Sequence, residues 1–198
     1  GLQIAPELRA GVEVDDVQRV ERGVPVETLP VGAQDNSSGA SLHYRTRKGL
    51  KRKGYLKLSA VVMFGSLIPA AIALDFGPSN DKRSAKALLP KARATVRPDV
   101  LYGDAGYDAE WIHKFCHEEW GLSSIIKPVR HTAGPPGGKY RSTMTESHLK
   151  AAGYPRRWLV ESYMSGLKRT TGWALRARST AAMKVEATCK VLAYALRR

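Results

Sequence analysis

Six side chains in this 198-residue sequence combine residue type and spacing in a way suited to phosphate and metal chemistry: Asp35, Asp104, Tyr154, Arg157, Glu161 and Lys168. Asp104 closes the run Asp99-Val100-Leu101-Tyr102-Gly103, and Asp35 follows the short, mostly apolar stretch Thr28 to Ala33. Both runs read as strands, and in open α/β sheets ligands collect outside the carboxyl ends of strands. The other four residues lie in one segment that reads as a long helix with Pro155 at its first turn. With Tyr154 at zero and about 100° per residue, Arg157 falls near 300°, Lys168 near 320° and Glu161 near 340°. Leu159, Val160, Tyr163, Met164 and Leu167 spread over about 140–280°, the apolar face.

A carboxylate at the margin of a core, with two cations and a phenol on the same ridge, is placed to meet phosphates and a divalent metal. Two aspartates and a glutamate are hard oxygen ligands, which suit Mg²⁺ bound through a few carboxylates together with substrate phosphates. Each feature also has a plainer reading. Either aspartate can be an Asx turn after a strand, and Arg157 with Glu161 can be an i, i+4 pair on a solvated face, worth about 0.2–0.5 kcal/mol.

The elements that would position these groups follow from the hydrophobic pattern. Leu58 to Leu74 carries no charge, but Gly65-Ser66 and Pro69 interrupt it, so it reads as two buried strands joined by a turn rather than a membrane span. Asn80-Asp81 caps a helix with Ala85, Leu88, Leu89 and Ala92 on one side. Asp108 is placed to cap a second helix, whose Trp111, Ile112, Phe115 and Cys116 form a stripe running to Trp120. Leu122 to Ile126 is a further strand, Ala133 to Gly138 a loop, and Thr180 to Leu196 the last helix. An early antiparallel run followed by strand, helix, strand, helix predicts an α/β domain: a mixed sheet with helices on its faces. Residues 1–27 show no clear period and read as a linker or the remnant of an N-terminal region, leaving 28–198 as the domain.

The composition, 43% hydrophobic and 25% charged, excludes disorder and collagen. The net charge is +14, from 32 basic and 18 acidic residues, and points to polyanions. Arg45, Arg47, Lys48, Lys51, Arg52, Lys53 and Lys57 form a run without acids, a candidate backbone-tracking surface with general solubility charge as the alternative. Cys116 and Cys189 read as small core hydrophobes in a reducing compartment. His113 and His117 stand one turn apart, but without a third ligand they do not make a zinc site. Trp158 and Trp173 read as core residues, with stacking on an unpaired base as the alternative. Gly1 in place of Met suggests the C-terminal part of a longer protein, and no signal peptide is visible.

The run Asp104-Ala105-Gly106-Tyr107-Asp108 after an apolar strand, with Tyr154, Arg157, Glu161 and Lys168 in the pattern Y-x2-R-x3-E-x6-K, closely resembles the DDE transposases of bacterial insertion sequences, in the subgroup named after insertion sequence 4. Tyr44, Tyr55 to Ser59, Asn80-Asp81 and Leu175 to Ser179 also look like features of that family, so the resemblance covers about 28–196. It implies a ribonuclease H-like mixed sheet with helices on both faces, as in the retroviral integrase superfamily. It further implies that Asp35, Asp104 and Glu161 hold Mg²⁺ or Mn²⁺. In relatives the first acid precedes a small residue, Thr or Ser, and Gly, whereas here the run is Asp-Asn-Ser-Ser-Gly. Asp75 is the alternative first ligand.

The implied activity is metal-dependent cleavage and strand transfer at transposon ends, with two ions about 3.5–4 Å apart supporting an in-line attack on phosphorus. Tyr154, Arg157, Lys168, Arg45, Arg47 and Lys48 would contact double-stranded DNA of element ends and target. A homodimer in the DNA complex, a cytoplasmic, nucleoid-associated location in a bacterium and no membrane partner follow from the same resemblance. Two other readings stay open: a ribonuclease H-like nuclease without strand transfer, and an inactive remnant that only binds DNA.

Overall fold

The computed structural model describes residues 23–31, 55–77, 79–129, 137–172 and 174–198. Asp35, Arg45, Arg47, Lys48, Tyr44 and Trp173, and with them part of the expected DNA surface, lie outside the described residues.

Among the described residues five strands form one sheet in the order β3-β2-β1-β4-β5: β1 (Gly23–Val31), β2 (Tyr55–Val62), β3 (Pro69–Gly77), β4 (Val100–Gly103) and β5 (Ser123–Ile126). The pairs β1–β2 and β2–β3 are antiparallel, and β1–β4 and β4–β5 are parallel. The sheet is therefore mixed, as expected, and its parallel half sends β1, β4 and β5 out along one edge. β1 begins at Gly23 rather than near Thr28. Pro25 and Pro30 disguise it, because proline is poorly tolerated in a strand paired on both sides. Here Pro25 pairs only with β4 and Pro30 only with β2, since the two ladders overlap at Val26 alone.

The uncharged stretch behaves as two strands. Met63 and Ile68 close the turn between β2 and β3, where Leu67 takes a left-handed conformation at φ 53°. Both faces of the sheet are covered, which is why β2 is buried along its length from Leu56 to Val62. On one face, Val61, Ala71 and Ala73 pack with Ala85, Leu88, Leu89 and Ala92 of α1 (Asp81–Thr95). Ile112 of α2 (Glu110–Lys114) and Cys116 and Trp120 of the wider turn that continues it belong to the same cluster. On the other face, Leu58, Ala60 and Val62 meet Val160, Tyr163, Met164 and Leu167 of α4 (Trp158–Thr171), with Val191 and Tyr194 of α5 (Thr180–Leu196). The short α3 (Glu146–Ala151) precedes α4.

Four local readings need correction. The Tyr154–Arg157 segment is a tighter 3₁₀ turn, and the α-helix starts at Trp158, so Tyr154 does not share the helical wheel of Glu161 and Lys168. Trp158 is 58% exposed and no core residue, because the apolar stripe of α4 is complete without it. Cys189 is exposed on α5, while Cys116 is buried as expected. Asp108 caps no helix: α2 begins after Ala109 without a side-chain cap, and the Asp108 carboxylate is taken by Arg141 and Val129. Among the described residues no helix is long and apolar enough to cross a membrane.

Candidate active site

Asp104 emerges from β4 where the strand expectation put it. Leu101 and Tyr102 bury the strand, and Gly103 sits so close to Ile126 that a Cβ would come within 3.1 Å of the Ile126 side chain. The chain then turns through Ala105–Tyr107, a single 3₁₀ turn that Asp104 caps, its Oδ1 accepting from the Gly106 N–H at 2.9 Å. Burial pushes the Asp104 carboxyl above its ordinary value, and the neighbouring Asp81 carboxylate adds to that shift. The Gly106 amide and the Arg157 guanidinium pull the other way.

Asp81 arrives from the opposite direction, as the first residue of α1 behind the Asn80 cap. Its carboxylate is held by Lys57 of β2, whose ammonium also donates to the Ser79 carbonyl at 2.6 Å. A Cβ at Gly106 would lie 2.3 Å from Asp81 Oδ2 and 3.0 Å from Asp104 Oδ1, so the two acids close on Gly106 in room that only the missing side chain leaves.

The segment before α4 is stitched to the same strand end by two phenols. Tyr154 Oη donates to the Gly103 carbonyl at 3.2 Å, and Tyr102 Oη donates to the Ala152 carbonyl at 2.8 Å. These ties place Arg157 where it acts on Asp104, and the same guanidinium forms an ion pair with Glu161. Glu161 is half-exposed, with 53% of its side chain accessible. Lys168 stands seven residues on along α4, about 10 Å at the helical rise. A cavity of about 550 Å³ opens beside Tyr154, with Lys127, Met144, Leu149, Lys150 and Pro155 in its wall.

Arg157 thus links the two acids electrostatically, acting on Asp104 and pairing with Glu161, while Tyr154 ties its own segment to the strand end at Gly103. Among the described residues, no three of His, Cys, Asp and Glu form a group able to hold a metal ion. Asp75, the alternative first acid, lies on the edge strand β3, accepts from the Phe76 N–H and pairs with Arg83. The donors present still suit a hard divalent cation in kind: Asp104 and Glu161 are carboxylates, and Asp104 lies partly buried beside a second acid, Asp81, whose repulsion a cation would offset. His113 is buried against Ser124 Oγ at 2.7 Å, a core interaction.

Sequence reasoning missed Lys57 and Asp81 as members of this region. Asp81 was accounted for as a helix start and Lys57 as part of a basic run. The available signal was a lysine at the head of a strand with no further charge before Asp75.

A family model described as Transposase DDE domain matches residues 22–196. No curated protein matches the chain.

Proposed function

We propose the following for a chain that belongs to the transposase DDE domain family: it cuts DNA at the ends of a mobile element and joins those ends to a target, using Asp35, Asp104 and Glu161 with Mg²⁺ or Mn²⁺. Membership carries transposition-related DNA cleavage, the work of a polynucleotidyl transferase, with DNA as partner and divalent metals in general use. Strand transfer, the insertion sequence 4 subgroup, the three named acids, Mg²⁺ and a homodimer on DNA are our reading. The strand order β3-β2-β1-β4-β5, with helical clusters on both faces, supports a ribonuclease H-like fold.

The observation that carries this reading is the arrangement at the end of β4. Asp104 leaves the sheet beside β1, which is parallel and adjacent and pairs Val26 with Gly103. Tyr154 and Tyr102 fasten the approach to α4 onto the same strand end, and Arg157, which acts on Asp104, pairs with Glu161. Asp104, Glu161 and Asp35 would hold the cation. When bound, it supplies Lewis-acid polarisation of a phosphoryl oxygen and stabilises the leaving oxygen. Arg157 presents a planar fork to a non-bridging phosphate oxygen and would exchange Glu161 for DNA. Lys168 meets a neighbouring phosphate as a point charge, and Lys127 and Lys150 extend the cationic path past Tyr154.

The test is cutting of supercoiled plasmid with and without Mg²⁺ or Mn²⁺ by the wild type and by Glu161→Gln. Metal-dependent nicking lost in the variant, with salt-sensitive DNA binding intact, is the expected result. Equal nicking by both proteins would refute the assignment. Binding without cutting by the wild type would favour the remnant that only binds DNA.

A further inference from the structure

Lys57 is only 6% exposed, yet its ammonium ends among polar atoms at the edge of the candidate site, on Asp81 and on the Ser79 carbonyl. A lysine so buried needs a partner to offset its desolvation. Its location is set by the sheet: Lys57 pairs in register with Pro30 of β1 and Asp75 of β3, on the same side of β2 as Val61, the side covered by α1. The ion pair therefore ties the middle of the sheet to the first turn of α1. Asp81 in turn abuts Gly106, whose N–H holds Asp104 Oδ1. A Cβ on Gly106 would stand 2.3 Å from one carboxylate oxygen and 3.0 Å from the other, so any larger residue would push the Asp81 carboxylate away from its place against the turn.

We propose that Lys57 and Asp81 are a positioning pair for Asp104. Lys57 holds the Asp81 carboxylate against Gly106, and Asp81 fixes the turn that presents Asp104 to the DNA and its cation. Gly106 serves this close approach and not a special backbone angle, because its φ is not positive. The inference rests on the active-site reading above and adds to it a pair of residues that touches neither DNA nor the reacting phosphate.

The experiment compares the full chain with Asp81→Ala, Asp81→Glu and Lys57→Met in three measurements: plasmid nicking at saturating DNA, DNA affinity, and the rise in Tm on titration with Mn²⁺ alone. A positioning role predicts that Asp81→Ala nicks about tenfold or more slowly and needs about tenfold more Mn²⁺ for half its thermal shift. DNA affinity should stay within about twofold, and Asp81→Glu, which can still reach Lys57, should recover part of both losses. Lys57→Met should lose nicking at saturating DNA as Asp81→Ala does; should it fail to fold, the Asp81 variants decide the matter. A lower starting Tm with unchanged nicking rate and unchanged Mn²⁺ response would overturn the proposal and leave the pair purely structural. A wild type that does not nick refutes the functional reading, and the Mn²⁺ shift then decides the positioning role alone. A wild type with neither nicking nor shift overturns both.

Discussion

Arg141 clamps its own segment onto the stretch just beyond Asp104, and removing it is the sharpest test of how that stretch is held. Arg141 Nε and Nη2 donate to the two oxygens of Asp108 at 2.6 and 2.7 Å, with Asp108 2% exposed. Glu110 accepts from the backbone N–H groups of Tyr140 and Arg141 at 3.1 and 3.0 Å, fixing the same strap from the other side. In Arg141→Ala the Asp108 carboxylate keeps, among the described residues, only the Val129 N–H at 2.9 Å. Breaking a buried pair by removing one partner costs about 3–5 kcal/mol, and the partial exposure of Arg141 puts the expected loss at about 3. For a chain of this size that is a fall in Tm of about 6–12 °C.

The pH dependence has a defined sign. Burial alone would raise the Asp108 carboxyl, but the Arg141 fork outweighs it and the group ends below its ordinary value of 3.8. A depressed carboxyl contributes stability above its unfolded value, and this is lost as pH falls through the folded one. The gap between wild type and Arg141→Ala should thus be full at pH 7 and shrink below about pH 4 as Asp108 becomes protonated. Thermal melts by circular dichroism at pH 7, 5 and 3.5 read this directly. A shift below about 1 °C, or one that is the same at all three values, would refute the clamp.

Three further outcomes follow from single contacts. Burial lowers the His113 imidazole to about 4, so between pH 6.5 and 4 the unfolded chain binds the extra proton and the wild type should lose about 3 kcal/mol; a His113→Gln variant should show a flatter Tm profile over that window. Tyr163 Oη is buried without a hydrogen-bond partner among the described residues, so Tyr163→Phe should be neutral or stabilise by up to about 1 kcal/mol in urea unfolding. Tyr154→Phe removes the bond to the Gly103 carbonyl, costing about 1 kcal/mol in the same assay, and should slow nicking more than it weakens DNA binding.

Periodicity made the local elements legible, and the limits of periodicity explain what it hid. The stripe Ala85, Leu88, Leu89 and Ala92 and the cap Asn80 announced α1, and an apolar strand running into Asp104 announced β4 with its exit. β1 was obscured by Pro25 and Pro30, which are tolerated only because its two ladders are offset, a tertiary fact. Asp108 has the local look of a helix cap, and only the return of the chain at Arg141 shows its real partner. The wheel projection put Arg157 and Glu161 on one ridge, and they do pair, but a tight turn at Tyr154–Arg157 lies outside that projection. Lys57 reaches Asp81 across the α1 face of the sheet, which no local pattern encodes.

The most direct measurement of the central claim, that carboxylates far apart in sequence share one cation, is Fe²⁺-directed cleavage of the protein itself. Fe²⁺ in place of Mg²⁺, with ascorbate and peroxide, generates radicals that cut the chain beside its ligands, and mass spectrometry maps the breaks. Cuts beside Asp104 and Glu161, with a third cluster beside Asp35, all suppressed by excess Mg²⁺, are the predicted result. Cuts beside Asp104 without Glu161, or scattered cuts indifferent to Mg²⁺, would contradict it.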